Sequence, residues 1–80
     1  MKQFKIMLPT VAEAKKFVAA AAKCDFDIDV YYNRVTIDAK SILGVLSLDL
    51  THVLTVELHG EDAGFEAFLK GYAPENNSAA

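Results

Sequence analysis

Apolar side chains recur along this chain at two different periods, and the changes of period divide it into seven segments. Lys2 to Met7 alternates, with Phe4 and Ile6 on one face and Lys5 and Met7 on the other, which predicts a strand. Pro9 interrupts that ladder. Thr10 and Glu13 are spaced as a capping box, in which each side chain satisfies the other's backbone N–H. Val11, Ala14, Val18, Ala21 and Ala22 follow at helical spacing with Phe17 beside them, while Lys15, Lys16 and Lys23 face water. The run Ala19 to Ala22 favours a helix and is slim enough to lie close on a sheet.

From Asp25 to Tyr32 the period falls to two, apolar residues alternating with Asp25, Asp27 and Asp29, which predicts a half-buried strand. Asn33-Arg34 is a tight turn without the glycine usual in such hairpins, and Val35 to Asp38 is the partner strand. Ser41 caps a short apolar helix from Ile42 to about Ser47. Leu54, Val56 and Leu58 alternate with Thr55, Glu57 and His59 as the last strand, which Gly60 breaks. Glu61-Asp62 puts acid where a helix macrodipole favours it, and Phe65, Phe68, Leu69 and Tyr72 form the stripe of a final helix closed by Gly71 and Pro74.

The expected order is therefore β-α-β-β-α-β-α, with an apolar face on every strand. Its economical packing is an α+β fold: an antiparallel four-stranded sheet covered on one side by helices. Residues 1–80 are expected to form one domain, with 75–80 a disordered polar tail. Cys24 is the only cysteine, so no disulfide staples the fold; it reads as a small buried apolar residue in a reducing compartment. The net charge is −3 and no basic cluster exceeds Lys15-Lys16, which argues against nucleic acid as a partner. No apolar run approaches the roughly 18 to 20 residues that span a bilayer, and the N-terminal segment has no signal-peptide core. The expectation is a cytoplasmic protein with no membrane partner.

This element order, from Lys2 to about Tyr72, resembles HPr, the small phosphocarrier of the bacterial sugar phosphotransferase system. The resemblance implies an open-faced β-sandwich. Its most specific part is Lys40 to Asp49, where each position fits the family's serine-site pattern: basic, serine, two aliphatics, a free position, an aliphatic, two free positions, an aliphatic and a small or acidic residue. Upstream, Arg34 stands where the pattern prefers a small or acidic residue.

The family's second motif, Gly-aliphatic-His-Ala/Thr-Arg-Pro at the start of the first helix, is not met. Alignment on Phe17-Val18 sets Thr10 at the histidine position, Ala12 at the arginine position and Glu13 at the proline position. A phosphohistidine there depends on a nucleophilic imidazole, free helix amides and a nearby guanidinium. Thr10 is a weak nucleophile without an adjacent base in sequence, and Glu13 sets a carboxylate where phosphate would bind. No catalytic residue, and hence no enzyme, is expected.

Other residues have ordinary readings. His52 and His59 are expected to be structural rather than relocated acceptors, and with one distant cysteine they lack a metal-site spacing. Asp25, Asp27 and Asp29 read as a solvated strand face, since a strand does not wrap an ion. No metal and no cofactor is expected. Ser41 is accounted for as a helix cap; by resemblance it is also the regulatory serine phosphorylated by HPr kinase in Gram-positive bacteria. Ile42, Leu43, Val45 and Leu46 are too many apolar residues for a short helix to bury, and the resemblance implies that Ile42, Leu43 and Leu46 dock a protein partner. Gly44 would permit another chain to approach. The leading expectation is a non-catalytic regulatory or adaptor protein whose partner is of the HPr kinase, enzyme I or transcriptional regulator type. The alternatives are a phosphocarrier with an unusual acceptor and a self-associating module, a weak homodimer through the apolar helix.

Overall fold

Strand β4 (Leu54–Leu58) is the last strand among the described residues and lies inside the sheet. The computed structural model describes residues 2–74, so the expected tail over 75–80 lies outside the described residues. The elements run β1 (Lys2–Ile6), α1 (Val11–Ala22), β2 (Ile28–Tyr32), β3 (Val35–Asp38), α2 (Ile42–Leu46), β4 and α3 (Ala63–Lys70), the order that the periodicity predicts. The sheet order is β1-β4-β2-β3 and every neighbouring pair is antiparallel.

One side of this sheet is apolar. Ile6, Ile28, Val30, Leu54, Val56 and Leu58 join a single buried cluster with Ala14, Phe17 and Ala21 of α1, Val45 of α2, and Phe65 and Leu69 of α3. The three helices therefore share the sheet's apolar side, and the alternate residues Gln3, Lys5, Asp29, Tyr31, Thr55 and Glu57 line the other. Phe17 and Phe65 bring α1 and α3 together, their ring centroids 6.1 Å apart.

Several local expectations change on folding. Phe17 sets the direction of the α1 stripe, so Ala14 and Ala21 are buried with it while Val11 and Ala22 fall on the flanks and stay exposed. The strand expected from Asp25 begins at Ile28, where pairing with Leu58 begins, so Asp25 and Asp27 share no strand face with Asp29. β3 is an edge strand in which Ile37 packs against the core and Val35 remains 46% exposed; it lacks a fully apolar face. In the hairpin, Tyr32 pairs with Val35 and Asn33 takes the left-handed conformation (φ 54°) that glycine usually supplies. Gly44 receives the chain's own β3: a Cβ there would lie 2.6 Å from Ile37 Cγ2, so its smallness serves internal packing.

Gly60 serves in the same way. A Cβ at this position would lie 2.4 Å from Phe26 Cγ and 3.0 Å from Phe26 Cβ, atoms that cannot swing aside as a side-chain tip could. Gly60→Ala is expected to cost about 1–3 kcal/mol by overpacking. Gly64→Ala, whose Cβ would meet only Asp62 Oδ1 at 3.3 Å, is expected to change stability far less. Urea unfolding of the two variants checks the contrast, and equal midpoints would refute it.

Candidate functional site

The opening of α1 is built by local capping and by a contact from the far end of the chain. Thr10 has extended backbone, and its Oγ1 accepts from Glu13 N at 3.2 Å, as the sequence predicts. The reciprocal half of the expected capping box is replaced by other partners. The Tyr72 hydroxyl donates to the Glu13 carboxylate, and Lys16 Nζ lies 3.6 Å from it. Met7 N also donates to Tyr72 O at 2.9 Å, so the segment before α1 is tied to the end of α3.

These contacts fix the electrostatics of the opening turn. The Tyr72 phenol, followed by Lys16, holds the Glu13 carboxyl below its ordinary value. The same bond pushes Tyr72 up from its ordinary 10.0 to about 12. At neutral pH the turn thus carries a fixed anion. Neither histidine approaches it. His52 pairs with Asp49 at 3.2 Å and stacks on Tyr32 at 5.2 Å. His59 Nε2 is held by Asp29 Oδ2 at 2.9 Å.

The second part of the site is α2, which packs against α1 and β3. Ser41 caps it, Oγ accepting from Gly44 N at 3.1 Å, and Ser41 N donates to Asp38 O at 3.0 Å. Lys40 Nζ donates to the Cys24 carbonyl at 2.8 Å, which anchors the cap to the end of α1. Val45 is fully buried, Leu46 packs against the core and Ile42 is half-buried, but Leu43 is 81% exposed. Of the three residues expected at a docking surface, Leu43 presents the most apolar area to solvent, and Val11 on the first turn of neighbouring α1 is exposed as well.

Cys24 is buried, and burial, followed by the Asp62 carboxylate 3.8 Å from Sγ, pushes its thiol up. A protonated, enclosed thiol fits the structural role expected of it. Two constellations escaped the sequence reading because they join distant segments. One is the Glu13–Tyr72 contact. The other is the meeting of Asp29, Glu57 and His59 on the polar side of the sheet. The spacing of Glu57 and His59 hinted at a shared face, but only the β2–β4 register adds Asp29.

Among the described residues, a four-stranded antiparallel sheet carrying three helices on one side makes an open-faced β-sandwich. Residues 11–71 match the PTS-HPr family, described as the PTS HPr component phosphorylation site, and the chain belongs to that family. It is similar to the crystal structure of HPr-C-His from Thermoanaerobacter tengcongensis, with a TM-score of 0.74 at 22% identity over 100% of both chains. It is also similar to the phosphocarrier protein HPr from Bacillus anthracis str. Ames, with a TM-score of 0.68 at 26% identity, covering 89% of this chain and 95% of that one. None of the helices among the described residues is long and apolar enough to cross a membrane.

The Glu13–Tyr72 bond has a pH signature. Tyr72 keeps its proton longer in the folded state, so its contribution to stability is present below its ordinary value of 10.0 and is lost as pH rises towards about 12. Glu13 behaves in the opposite sense, contributing above its ordinary value of 4.5 and losing that contribution as pH falls through its depressed one. Glu13→Gln is expected to return the Tyr72 titration towards 10.0. Ring resonances of Tyr72 followed by NMR check this; an ordinary titration in the unaltered protein would show that the bond does not form.

Proposed function

We propose that this HPr-family chain is a non-enzymatic regulatory or adaptor protein that has lost phosphoryl carriage at α1 and binds a protein partner through α2. The observation that carries the reading is the content of the α1 opening: a Thr10 hydroxyl committed to capping and a Glu13 carboxylate held by Tyr72 and Lys16. A carrier needs a nucleophile that is reactive near neutral pH and cations that steady the arriving charge. Here the hydroxyl titrates far too high to serve, and the anion already bound to the turn repels phosphate. Thr10 is read as the residue that has replaced the phosphocarrier histidine.

Partner binding is read from α2. Leu43 is exposed although a short core helix gains nothing from an outward leucine, and the half-buried Ile42 and Leu46 flank it in sequence. Ser41 is the regulatory candidate: a phosphate there would add about −1.5 to −2 charges beside the apolar residues that follow it. Partners of the HPr kinase, enzyme I or transcriptional regulator type, and a cytoplasmic setting, go with this reading. A carrier with an unusual acceptor is the opposing reading, which His52 and His59 support poorly because each is already held by acids.

Incubation with phosphoenolpyruvate and enzyme I is expected to leave the mass of the chain unchanged under conditions that preserve phosphohistidine. A stable gain of one phosphate, passed on to a sugar-transporter subunit, would overturn the reading. In pull-downs from the native host, Leu43→Asp is expected to lose the partners that the unaltered chain retains; unchanged partners would remove α2 from the interface. Ser41→Ala is expected to lower stability by about 0.5–2 kcal/mol through loss of the cap, measured by urea unfolding. Ser41→Asp, which can still cap, separates the effect of charge on binding from the effect on folding. Light scattering at several concentrations distinguishes partner binding from self-association through Leu43.

A further inference from the structure

The polar side of the sheet holds a side-chain group that neither helix opening uses. Register sets Glu57 of β4 beside Gln3 of β1 and Asp29 of β2, and His59 emerges on the same side just past the end of β4. His59 Nε2 lies 2.9 Å from Asp29 Oδ2 and 3.6 Å from Glu57 Oε1, and one ligand atom from each of the three residues falls within 4.8 Å of the others. We propose that Asp29, Glu57 and His59 form a divalent-metal site of the zinc class on the open face of the sheet. From sequence alone Asp29 belongs to a solvated face, His59 has a structural role and no metal is expected.

The donor set selects the ion. One imidazole nitrogen with two carboxylate oxygens suits zinc and its transition-metal neighbours, whereas calcium and magnesium require oxygen alone. Ligand bonds of about 2.0–2.2 Å around a tetrahedral ion put neighbouring donors about 3.3 Å apart. The separations from His59 Nε2, 2.9 and 3.6 Å, bracket that value, and the two carboxylates lie within 4.8 Å of each other, so the ion is admitted when the Asp29 and Glu57 side chains draw together around it. A divalent cation would also neutralise the two neighbouring carboxylates.

The supporting residues are equally suited. Gln3 Nε2 donates to Glu57 Oε2 at 3.0 Å and the Tyr31 hydroxyl donates to Glu57 Oε1 at 2.8 Å, which orients the carboxylate as outer partners orient metal ligands. Asp29 and Glu57 stand on paired strands instead of a loop, which fixes their separation. The His59, Asp29 and Glu57 side chains are 33%, 30% and 14% exposed, open enough for an ion to enter and for water to complete its shell. This inference stands independently of the partner-binding reading.

Zinc chloride titrated into the tag-free full chain, followed by calorimetry, tests it. Expected is saturable binding of one ion per chain, weakened at least about tenfold in His59→Gln and unchanged in His52→Gln. Tyr31→Phe, which leaves all three ligands in place, is expected to weaken binding about tenfold by removing the hydrogen bond that orients Glu57 Oε1. Asp29→Asn gives the same readout as His59→Gln should that variant fail to fold. Calcium and magnesium chloride are expected not to saturate the site. Absence of saturable zinc binding, or an affinity in His59→Gln and Asp29→Asn that equals that of the unaltered chain, overturns the proposal; loss in His52→Gln instead would move the ion to the Asp49–His52 pair and overturn it equally.

Discussion

β4 is hydrogen-bonded on both sides, to β1 from Ile6↔Leu54 through Lys2↔Leu58 and to β2 from Tyr31↔Thr55 through Ile28↔Leu58. Because Leu54, Val56 and Leu58 are all fully buried, their register cannot slip by one residue without turning the apolar set to water. That double pairing holds the β1–α1 half of the chain to the β2–β3 hairpin. It also gives the sheet its two characters: an apolar side on which three helices meet, and a polar side on which Gln3, Glu57 and Asp29 form a row. Each side of β4 thus carries its own chemistry.

The architecture was legible where side-chain period is decided locally. Alternation of Leu54 to Leu58 and the helical spacing of Phe65, Phe68 and Leu69 survive folding because both segments turn to the core the face that their pattern defines, whereas Tyr72, expected in the same stripe, lies past the end of α3 at Lys70. The Asp25 to Tyr32 pattern was read as too long a strand because alternation cannot say where a partner runs out; pairing with β4 starts at Ile28, and the chain before it carries Phe26 over Gly60. Val11 and Val35 are apolar yet exposed, one on the flank of the stripe set by Phe17 and one on an edge strand. Patterns alone cannot rank such residues without the facing element.

The helix openings were similarly half legible. Thr10 and Ser41 cap the helices that the sequence assigns to them, and Asp62, expected only as acid at a helix start, caps α3, because a cap depends on four consecutive residues and little else. The partner of Glu13 was misassigned because local spacing proposes Thr10, whereas folding delivers Tyr72 from 59 residues away. The family was legible from the segment Lys40 to Asp49 together with element order, and the match over residues 11–71 agrees. Function depends more heavily on contacts between distant segments, and those are what a linear reading sees least well.

The interior position of β4 also constrains how the chain comes into being. Among the described residues β1 has no sheet neighbour except β4, so β1 must wait for residues 54–58 to be made before its ladder can form. Until then α1 has no completed sheet beneath it, and only the β2–β3 hairpin can pair early. Closure of this fold therefore waits for β4, and a nascent chain stopped before it would leave β1 unpaired, β2 with an open edge and an uncovered apolar face.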